Sequence, residues 1–286
     1  MAISTALGEP KEVRLEQGTV RYRERGSGPT VLFVHGVFVN GDLWRRVVPA
    51  LGDGVRCVVP DLPLGAHTAP MASGADVTPS GVARMLADFM DALDLDDVTL
   101  VGNDTGGALC QLLVAHHPER LGRLVLTNCD AFEHFLPPAG RPIQWVARIP
   151  GSVRALGALL RLAPARRAFA ATVAHHRPEP DVLESFFGPV ARDAGVRADT
   201  TRFLQGISNR DTLEAARHFG AFDRPVLVAW GQDDWFFPKT LADRLVAAFP
   251  DARLERLSGS RAFVPEDQPE ALARLVAGFV PRPAAA

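Results

Sequence analysis

Apolar residues along the chain form short continuous runs that alternate with longer stretches of helical periodicity. Five runs are apolar and rich in β-branched residues, which is typical of strands buried on both faces of a sheet: 31–36, 57–61, 97–101, 123–128 and 225–231. A helical segment over 108–117 follows the third run and is closed by Pro118. This alternation predicts an α/β fold, with a mostly parallel sheet flanked by helices.

Between residues 128 and 225 the strand pattern gives way to helical periodicity alone. A Pro-rich loop at 136–142 opens this stretch, and prolines at 164, 178, 180 and 189 divide its helices. The sequence therefore predicts a core of residues 1–130 and 221–286 with an inserted helical cap at 131–220. Apolar residues of the cap, such as Trp145, are candidates to line a pocket, and packing within the cap is their alternative role.

Composition and charge indicate a globular enzyme: 47% of the 286 residues are hydrophobic, and the formal net charge is -2. There is no charged-then-apolar leader and no apolar run near 18 residues, so the sequence predicts a cytoplasmic protein without a membrane partner. The three separated cysteines are predicted to be reduced core residues. Arginine far outnumbers lysine, which indicates a GC-rich bacterial genome. No basic block predicts a nucleic-acid partner.

The most specific motif is Gly-Asn-Asp-Thr-Gly-Gly at 102–107, between a predicted strand and a predicted helix. Its glycines permit a sharp turn that would project the side chain of Asp104 from the sheet, beside the first amides of the helix. Those amides and the helix dipole favour an anion, so Asp104 is predicted to be ionised at neutral pH. The alternative is an ordinary Gly-rich turn with Asp104 as an N-cap.

Four motifs together carry a family resemblance. His35-Gly36, Asp-Leu-Pro at 61–63, the motif at 102–107 and Trp-Gly-Gln-Asp-Asp at 230–234 occur in the order found in the α/β-hydrolase superfamily. With aspartate in the turn, the chain resembles the haloalkane dehalogenase and epoxide hydrolase branch, from about residue 13 to residue 280. The resemblance implies the α/β-hydrolase fold, a nucleophilic Asp104 and an ester intermediate. It also implies an oxyanion hole from the amides of Thr105 and Val37.

The resemblance implies further that the catalytic acid follows the late strand in a Gly-x-x-Asp pattern, which points to Asp234. Asp233 is the close alternative, because paired aspartates also cap turns. Some dehalogenases place this acid after the strand that follows the nucleophile, where the chain has Asp130 and Glu133.

The histidine that should act as the base is missing. The family places it before a helix that opens with Glu-Asp-x-Pro, and this chain has Ala262 at that position, with its last histidine at 218. Two loop histidines are candidate substitutes: His67, and His134 beside Glu133. His35 is expected to structure its loop. No His/Cys spacing predicts a metal site, and no motif requires a cofactor.

Family features that bind a halide or protonate an epoxide are incomplete. Thr105 and Val37 stand where dehalogenases often have tryptophan and asparagine, and the only tyrosine, Tyr22, lies outside the cap. Three hypotheses follow for this chain and its small-molecule ligand. It is a hydrolase of small apolar substrates, a lyase, isomerase or cyclase in which Asp104 moves protons, or an inactive binding module. The oligomeric state is left open by the sequence.

Overall fold

Eight strands form one sheet in the order β1-β2-β4-β3-β5-β6-β7-β8 in the computed structural model. The structure describes residues 2–138 and 140–281; Met1 and 282–286 of the predicted core, and Ala139 of the predicted cap, lie outside the described residues. The strands are β1 Glu9–Leu15, β2 Gly18–Arg25, β3 Thr30–Val34, β4 Arg56–Pro60, β5 Val98–Asp104, β6 Leu121–Cys129, β7 Val226–Gly231 and β8 Ala252–Leu257. β2 pairs antiparallel with β1 and β4, and the other pairs are parallel.

The central strands are buried because their sequences are apolar on both faces. Every residue of β3 and of β7 is buried. The register of β3 with β5 brings Val34 beside Gly102, so that these two strands end at the same edge of the sheet. Ligands of open α/β sheets bind at this carboxyl edge. The predicted α/β fold with a mostly parallel sheet is confirmed.

Six helices pack around the sheet. They are α1 Val47–Leu51, α2 Pro79–Ala92, α3 Thr105–His116, α10 Lys239–Ala248, α11 Val264–Asp267 and α12 Pro269–Ala277. α3 begins directly after β5, three residues before the predicted start at residue 108. Its residues from Thr105 to Val114 are all buried, and this burial explains why the helix has no polar face.

Six further α-helices lie between β6 and β7 in the described part of the chain, and we call them the helical insertion. They are α4 Arg141–Ala147, α5 Ser152–Leu159, α6 Ala163–Val173, α7 Pro180–Arg192, α8 Ala194–Gly206 and α9 Asn209–Ala215. Hydrogen bonds join the insertion to the core. The Phe263 amide donates to the Val173 carbonyl at 2.8 Å, and the Asn40 side chain donates to the Ser185 carbonyl at 3.1 Å.

The three cysteines lie in the core as predicted: Cys57, Cys110 and Cys129 are buried, and none forms a disulfide. Within the described ranges, no helix has both the length and the apolar content that crossing a membrane requires.

Candidate active site

Asp104 occupies the sharp turn between β5 and α3. Its φ of 56° lies in a region that L-residues rarely adopt and that costs about 1–3 kcal/mol. Neighbouring glycines allow this turn to pack closely. A Cβ on Gly36 would overlap the Asp104 carboxylate, and a Cβ on Gly106 would overlap the carbonyl oxygens of β3 and His35. The surrounding backbone therefore fixes the position of the Asp104 side chain.

The Asp104 carboxylate accepts hydrogen bonds from the backbone amides of Thr105 and Val37. It is partly accessible through a cavity but densely surrounded by protein, and this burial raises its pKa to about 7. The two amides lower the pKa by less than burial raises it, and the charge of Asp234 raises it further. The expectation of an ionised Asp104 at neutral pH thus applies to only about half of the population, because the cost of desolvation exceeds the stabilisation at the helix N-terminus.

An apolar cavity of about 200 Å³ lies over Asp104, between the core and the helical insertion. Core residues on its wall are Val37, Phe38, Asp104, Phe236, Phe237, Ala262 and Phe263; the opposite wall has Leu136, Pro137, Gly140, Ile143, Phe169, Thr172 and Val173. Asp104 is the one ionisable residue among these lining residues. The Thr172 hydroxyl already donates to the Phe169 carbonyl at 2.6 Å. The cavity therefore suits a small molecule with little polarity.

Asp234 lies in the loop after β7, near Asp104. The Asn128 side chain donates to its carboxylate at 2.8 Å, and the Phe236 amide donates at 2.8 Å. Burial raises the pKa of Asp234 above its usual range. Asp233 instead is exposed and contacts His175 at 3.2 Å. Of the two aspartates, only Asp234 is thus held close enough to influence the Asp104 carboxyl.

The alternative acids differ in position. Asp130 is fully buried and accepts a hydrogen bond of 3.1 Å from the Thr105 hydroxyl, and burial beside Asp104 raises the pKa of Asp130 well above its usual range. Glu133 is on the surface, where two hydrogen bonds from Arg244, at 2.5 and 2.9 Å, lower its pKa to about 2. The structure therefore brings Asp130, but not Glu133, to the neighbourhood of Asp104.

The position expected to hold the base is occupied by Ala262, which is buried and lines the cavity. Neither of the two candidate substitutes, His67 and His134, is among the lining residues, and His35 is not among them either. His35 uses both ring nitrogens elsewhere, with Nδ1 donating to the Gly36 carbonyl at 2.8 Å and Nε2 accepting from the Leu62 amide at 2.9 Å. Burial lowers the pKa of His35 to about 4, so it is a neutral residue that orders its loop.

His67 and His134 also have other partners. His67 is buried against the helical insertion, with Nε2 3.1 Å from the Asp199 carboxylate on α8. His134 faces Glu133 at 3.6 Å, as the sequence suggested, but this pair adjoins the surface ion pair with Arg244. The structure does not bring either imidazole to the cavity wall.

Trp145, a predicted pocket residue, is 65% exposed on α4 and lines a separate surface depression. Its helix instead contributes Ile143 to the cavity.

Sequence reasoning missed the Phe236–Phe237 pair and Asn128. The phenylalanines follow Asp234, and Asn128 ends a predicted strand. These positions were the available signals, because ligand sites of open α/β sheets form at the carboxyl ends of strands.

Comparisons with known proteins agree with this architecture. The chain matches a family model described as alpha/beta hydrolase fold over residues 29–269. It is 30% identical over 264 residues to haloalkane dehalogenase 2 of Mycobacterium tuberculosis, covering 91% of each chain. It is 28% identical over 263 residues to a cis-3-alkyl-4-alkyloxetan-2-one decarboxylase of Shewanella oneidensis, covering 87% of this chain and 80% of that protein.

A solved structure shares the fold as well. The haloalkane dehalogenase DbeA of Bradyrhizobium elkani superimposes with a TM-score of 0.79 at 21% identity, covering 95% of this chain and 97% of that chain.

Proposed function

The chain belongs to the α/β-hydrolase fold family, in its haloalkane dehalogenase-like branch, and on this basis we propose that it is a hydrolase with Asp104 as its nucleophile. The substrate is a small, largely apolar molecule, because the cavity of about 200 Å³ is smaller than the pockets of roughly 300–1,000 Å³ that bind drug-sized ligands. The helical insertion, within the predicted bounds 131–220, serves as the cap.

One observation supports this function most strongly. The carboxylate of Asp104 faces the cavity while it accepts hydrogen bonds from the amides of Thr105 and Val37. In an ester of Asp104, one carboxyl oxygen is bonded to the substrate carbon and the other is the ester carbonyl. Water that attacks this carbonyl carbon places negative charge on the oxygen beside the two amides, and they stabilise it there.

In the first step, an Asp104 oxygen donates an electron pair to the electrophilic carbon, and the leaving group departs with the electrons of its bond. The reactive form is the carboxylate, about half of the population at neutral pH given the pKa of about 7. The lining residues provide no free side-chain donor for the leaving group. Substrates that need no acid assistance, such as haloalkanes and strained lactones, are therefore favoured.

The second step is predicted to be slow. Hydrolysis of the ester needs a base that takes a proton from water, and the cavity has the methyl group of Ala262 where the family has an imidazole. General-base assistance is worth roughly 10²–10⁴-fold in rate. The covalent ester should consequently accumulate.

Intact-protein mass spectrometry tests the proposal. The protein is incubated with haloalkanes, epoxides, activated esters and β-lactones, beside Asp104→Asn and the matched surface variant Asp233→Asn. We expect a mass increase in the parent protein and in Asp233→Asn, and none in Asp104→Asn. An adduct on Asp104→Asn, or turnover with no adduct in rapidly quenched samples, would exclude Asp104 as the nucleophile.

Proton transfer is the second candidate function. The pKa of about 7 suits Asp104 for taking and returning a proton near neutral pH, and one relative is named as a decarboxylase. A lyase or isomerase of this kind would incorporate deuterium from heavy water at a substrate carbon without forming an adduct. The same variants distinguish the two candidates, since Asp104→Asn abolishes exchange in one and alkylation in the other.

A further inference from the structure

The first part of the helical insertion has an unusual charge composition. Residues 134–178 contain seven arginines and no aspartate or glutamate, whereas the whole chain has 33 acidic residues and a net charge of -2. Positive charge is therefore concentrated on α4, α5 and α6; Arg166 of α6 pairs with Glu184 of α7, and the stretch itself contains no acidic residue that could neutralise the other arginines.

Exposed apolar side chains lie in the same stretch. Among the described residues, eight large hydrophobic side chains are exposed, and five of these belong to it: Trp145, Val146, Ile149, Leu159 and Leu162. Contiguous patches of exposed apolar side chains mark interaction sites, whereas single exposed apolar residues are ordinary.

The arginines and the apolar groups share one surface. Arg148 lines a depression with Ile149 and Arg154, and it also lines the next depression, with Arg141 and Trp145. Within the described part of the chain, the guanidinium groups of Arg148 and Arg154 have no hydrogen-bond or ion-pair partner. We call the surface of these five residues the basic face.

We propose that the basic face docks on an anionic lipid membrane. Helices that lie in a membrane interface present arginine together with tryptophan and aliphatic side chains, as this face does. Each arginine near an anionic bilayer contributes about 1 kcal/mol, and tryptophan favours the level of the headgroups. A bilayer matches both features, because it presents uniform negative charge above an apolar interior. With no acidic residue on the face, nothing specifies the pattern of alternating charges that orients a protein partner.

Docking of this kind would place the cavity next to the lipid. α4 carries Trp145 on its exposed side and contributes Ile143 to the cavity wall. Apolar solutes concentrated in the bilayer would thus be close to Asp104. The sequence-based expectation of no membrane partner considered only segments that cross the bilayer. A helix that lies on the bilayer surface does not require such a segment. The inference is independent of the chemistry of Asp104.

Sedimentation with vesicles tests the charge requirement. The protein should bind vesicles of phosphatidylglycerol and phosphatidylcholine, release with added salt, and bind pure phosphatidylcholine weakly. Arg148→Ala/Arg154→Ala should weaken binding by about 10–30-fold, given about 1 kcal/mol per arginine. The matched pair Arg84→Ala/Arg217→Ala removes two exposed arginines outside the basic face and should bind like the parent protein.

Tryptophan fluorescence tests the location. Trp44 and Trp230 are fully buried, whereas Trp145 and Trp235 are exposed. Anionic vesicles should shift the emission to shorter wavelength in the parent protein and in Trp235→Phe, and this shift should be absent in Trp145→Phe. Circular dichroism melts check that each variant is folded.

Three results would overturn the proposal: no binding to anionic vesicles, an equal loss of vesicle binding in Arg148→Ala/Arg154→Ala and Arg84→Ala/Arg217→Ala, or a blue shift that persists in Trp145→Phe. A dimer that forms without lipid and dissociates in Arg148→Ala/Arg154→Ala, measured by analytical ultracentrifugation, would assign the face to a second copy of the chain instead. Asp104→Asn should bind vesicles normally, so failure of the proposed chemistry and failure of docking are distinguishable.

Discussion

The side-chain amide of Asn103 donates a hydrogen bond of 2.8 Å to the backbone carbonyl of Ala262. This contact ties the residue before Asp104 to the position where the family resemblance implies a histidine. On the other side, the Asp233 amide donates to the Ser260 carbonyl at 2.8 Å, which brings the loop of Asp234 alongside the same segment. The backbone at residue 262 is thus held beside both Asp104 and the Asp234 loop, at the position where the family resemblance implies a base.

Ala262→His should therefore restore the second half-reaction. An imidazole at this position would face the cavity beside the Asp234 loop and could take a proton from water. We expect the Asp104 ester to decay about 10²–10⁴-fold faster than in the parent protein. The measurement is the loss of adduct mass with time after excess substrate is removed.

Ala262→Gln is the matched control for this experiment, because glutamine is polar but cannot accept the proton. It should leave the adduct lifetime close to that of the parent protein. Equal decay rates in the histidine, glutamine and parent proteins would show that a base at residue 262 is not what limits hydrolysis.

The rate of adduct formation should depend on pH through Asp104 itself. Because its pKa is about 7, the fraction of Asp104 in the reactive carboxylate form increases as the pH rises from 5 to 8. The second-order rate constant for alkylation should increase with a midpoint near pH 7 and reach a plateau above pH 8. A rate independent of pH over this range would contradict a pKa of Asp104 near 7.

Asp104→Asn should stabilise the fold, and the gain should grow with pH. In the unfolded chain an aspartate has a pKa near 3.9, whereas folding raises that of Asp104 to about 7. The contribution of the Asp104 carboxyl to stability is therefore fully present below about pH 4 and is lost as the pH rises through 7. Urea unfolding gives the free energy of unfolding of both proteins at each pH. The difference between Asp104→Asn and the parent protein should be about 2–4 kcal/mol larger at pH 8 than at pH 4. A gain independent of pH would contradict this expectation.

The sequence was sufficient to predict the fold and the position of Asp104 in the turn between a strand and a helix, because both depend on local patterns. The run at 225–231 is apolar on both faces, and only a fully buried strand accommodates such a sequence. The motif at 102–107 joins a strand directly to a helix, and its glycines fit spaces in which a Cβ would overlap other atoms. Neither inference required knowledge of distant contacts.

Other parts of the site depend on how the helices dock, which local patterns do not report. Trp145 and Ile143 are two residues apart on α4, and only the docked helix decides which of them reaches the cavity. The pKa of Asp104 depends on all the atoms around it, and burial raises it although the helix N-terminus by itself favours the anion. His67 became a partner of Asp199 through a contact between residues 132 positions apart.

The segment that follows Ala262 is anchored by a buried ion pair. Arg45 contacts both oxygens of the fully buried Glu266 carboxylate, at 2.5 and 3.1 Å. Arg45→Met should destabilise the fold by about 3–5 kcal/mol, because it leaves a buried carboxylate without its partner. Arg45→Met/Glu266→Gln should recover part of this loss in the free energy of unfolding. A double variant that is no more stable than the single one would indicate that the pair adds only packing.

The oxygen source in a single turnover tests the role of Asp104 most directly. The protein reacts in H₂¹⁸O with less than one equivalent of substrate, and the peptide containing Asp104 is then analysed by mass spectrometry. If Asp104 is the nucleophile, water attacks the ester carbonyl, so ¹⁸O enters the Asp104 carboxylate and the first product carries none. If ¹⁸O appears in the first product while Asp104 remains unlabelled, water has attacked the substrate itself, and the nucleophilic role of Asp104 is contradicted.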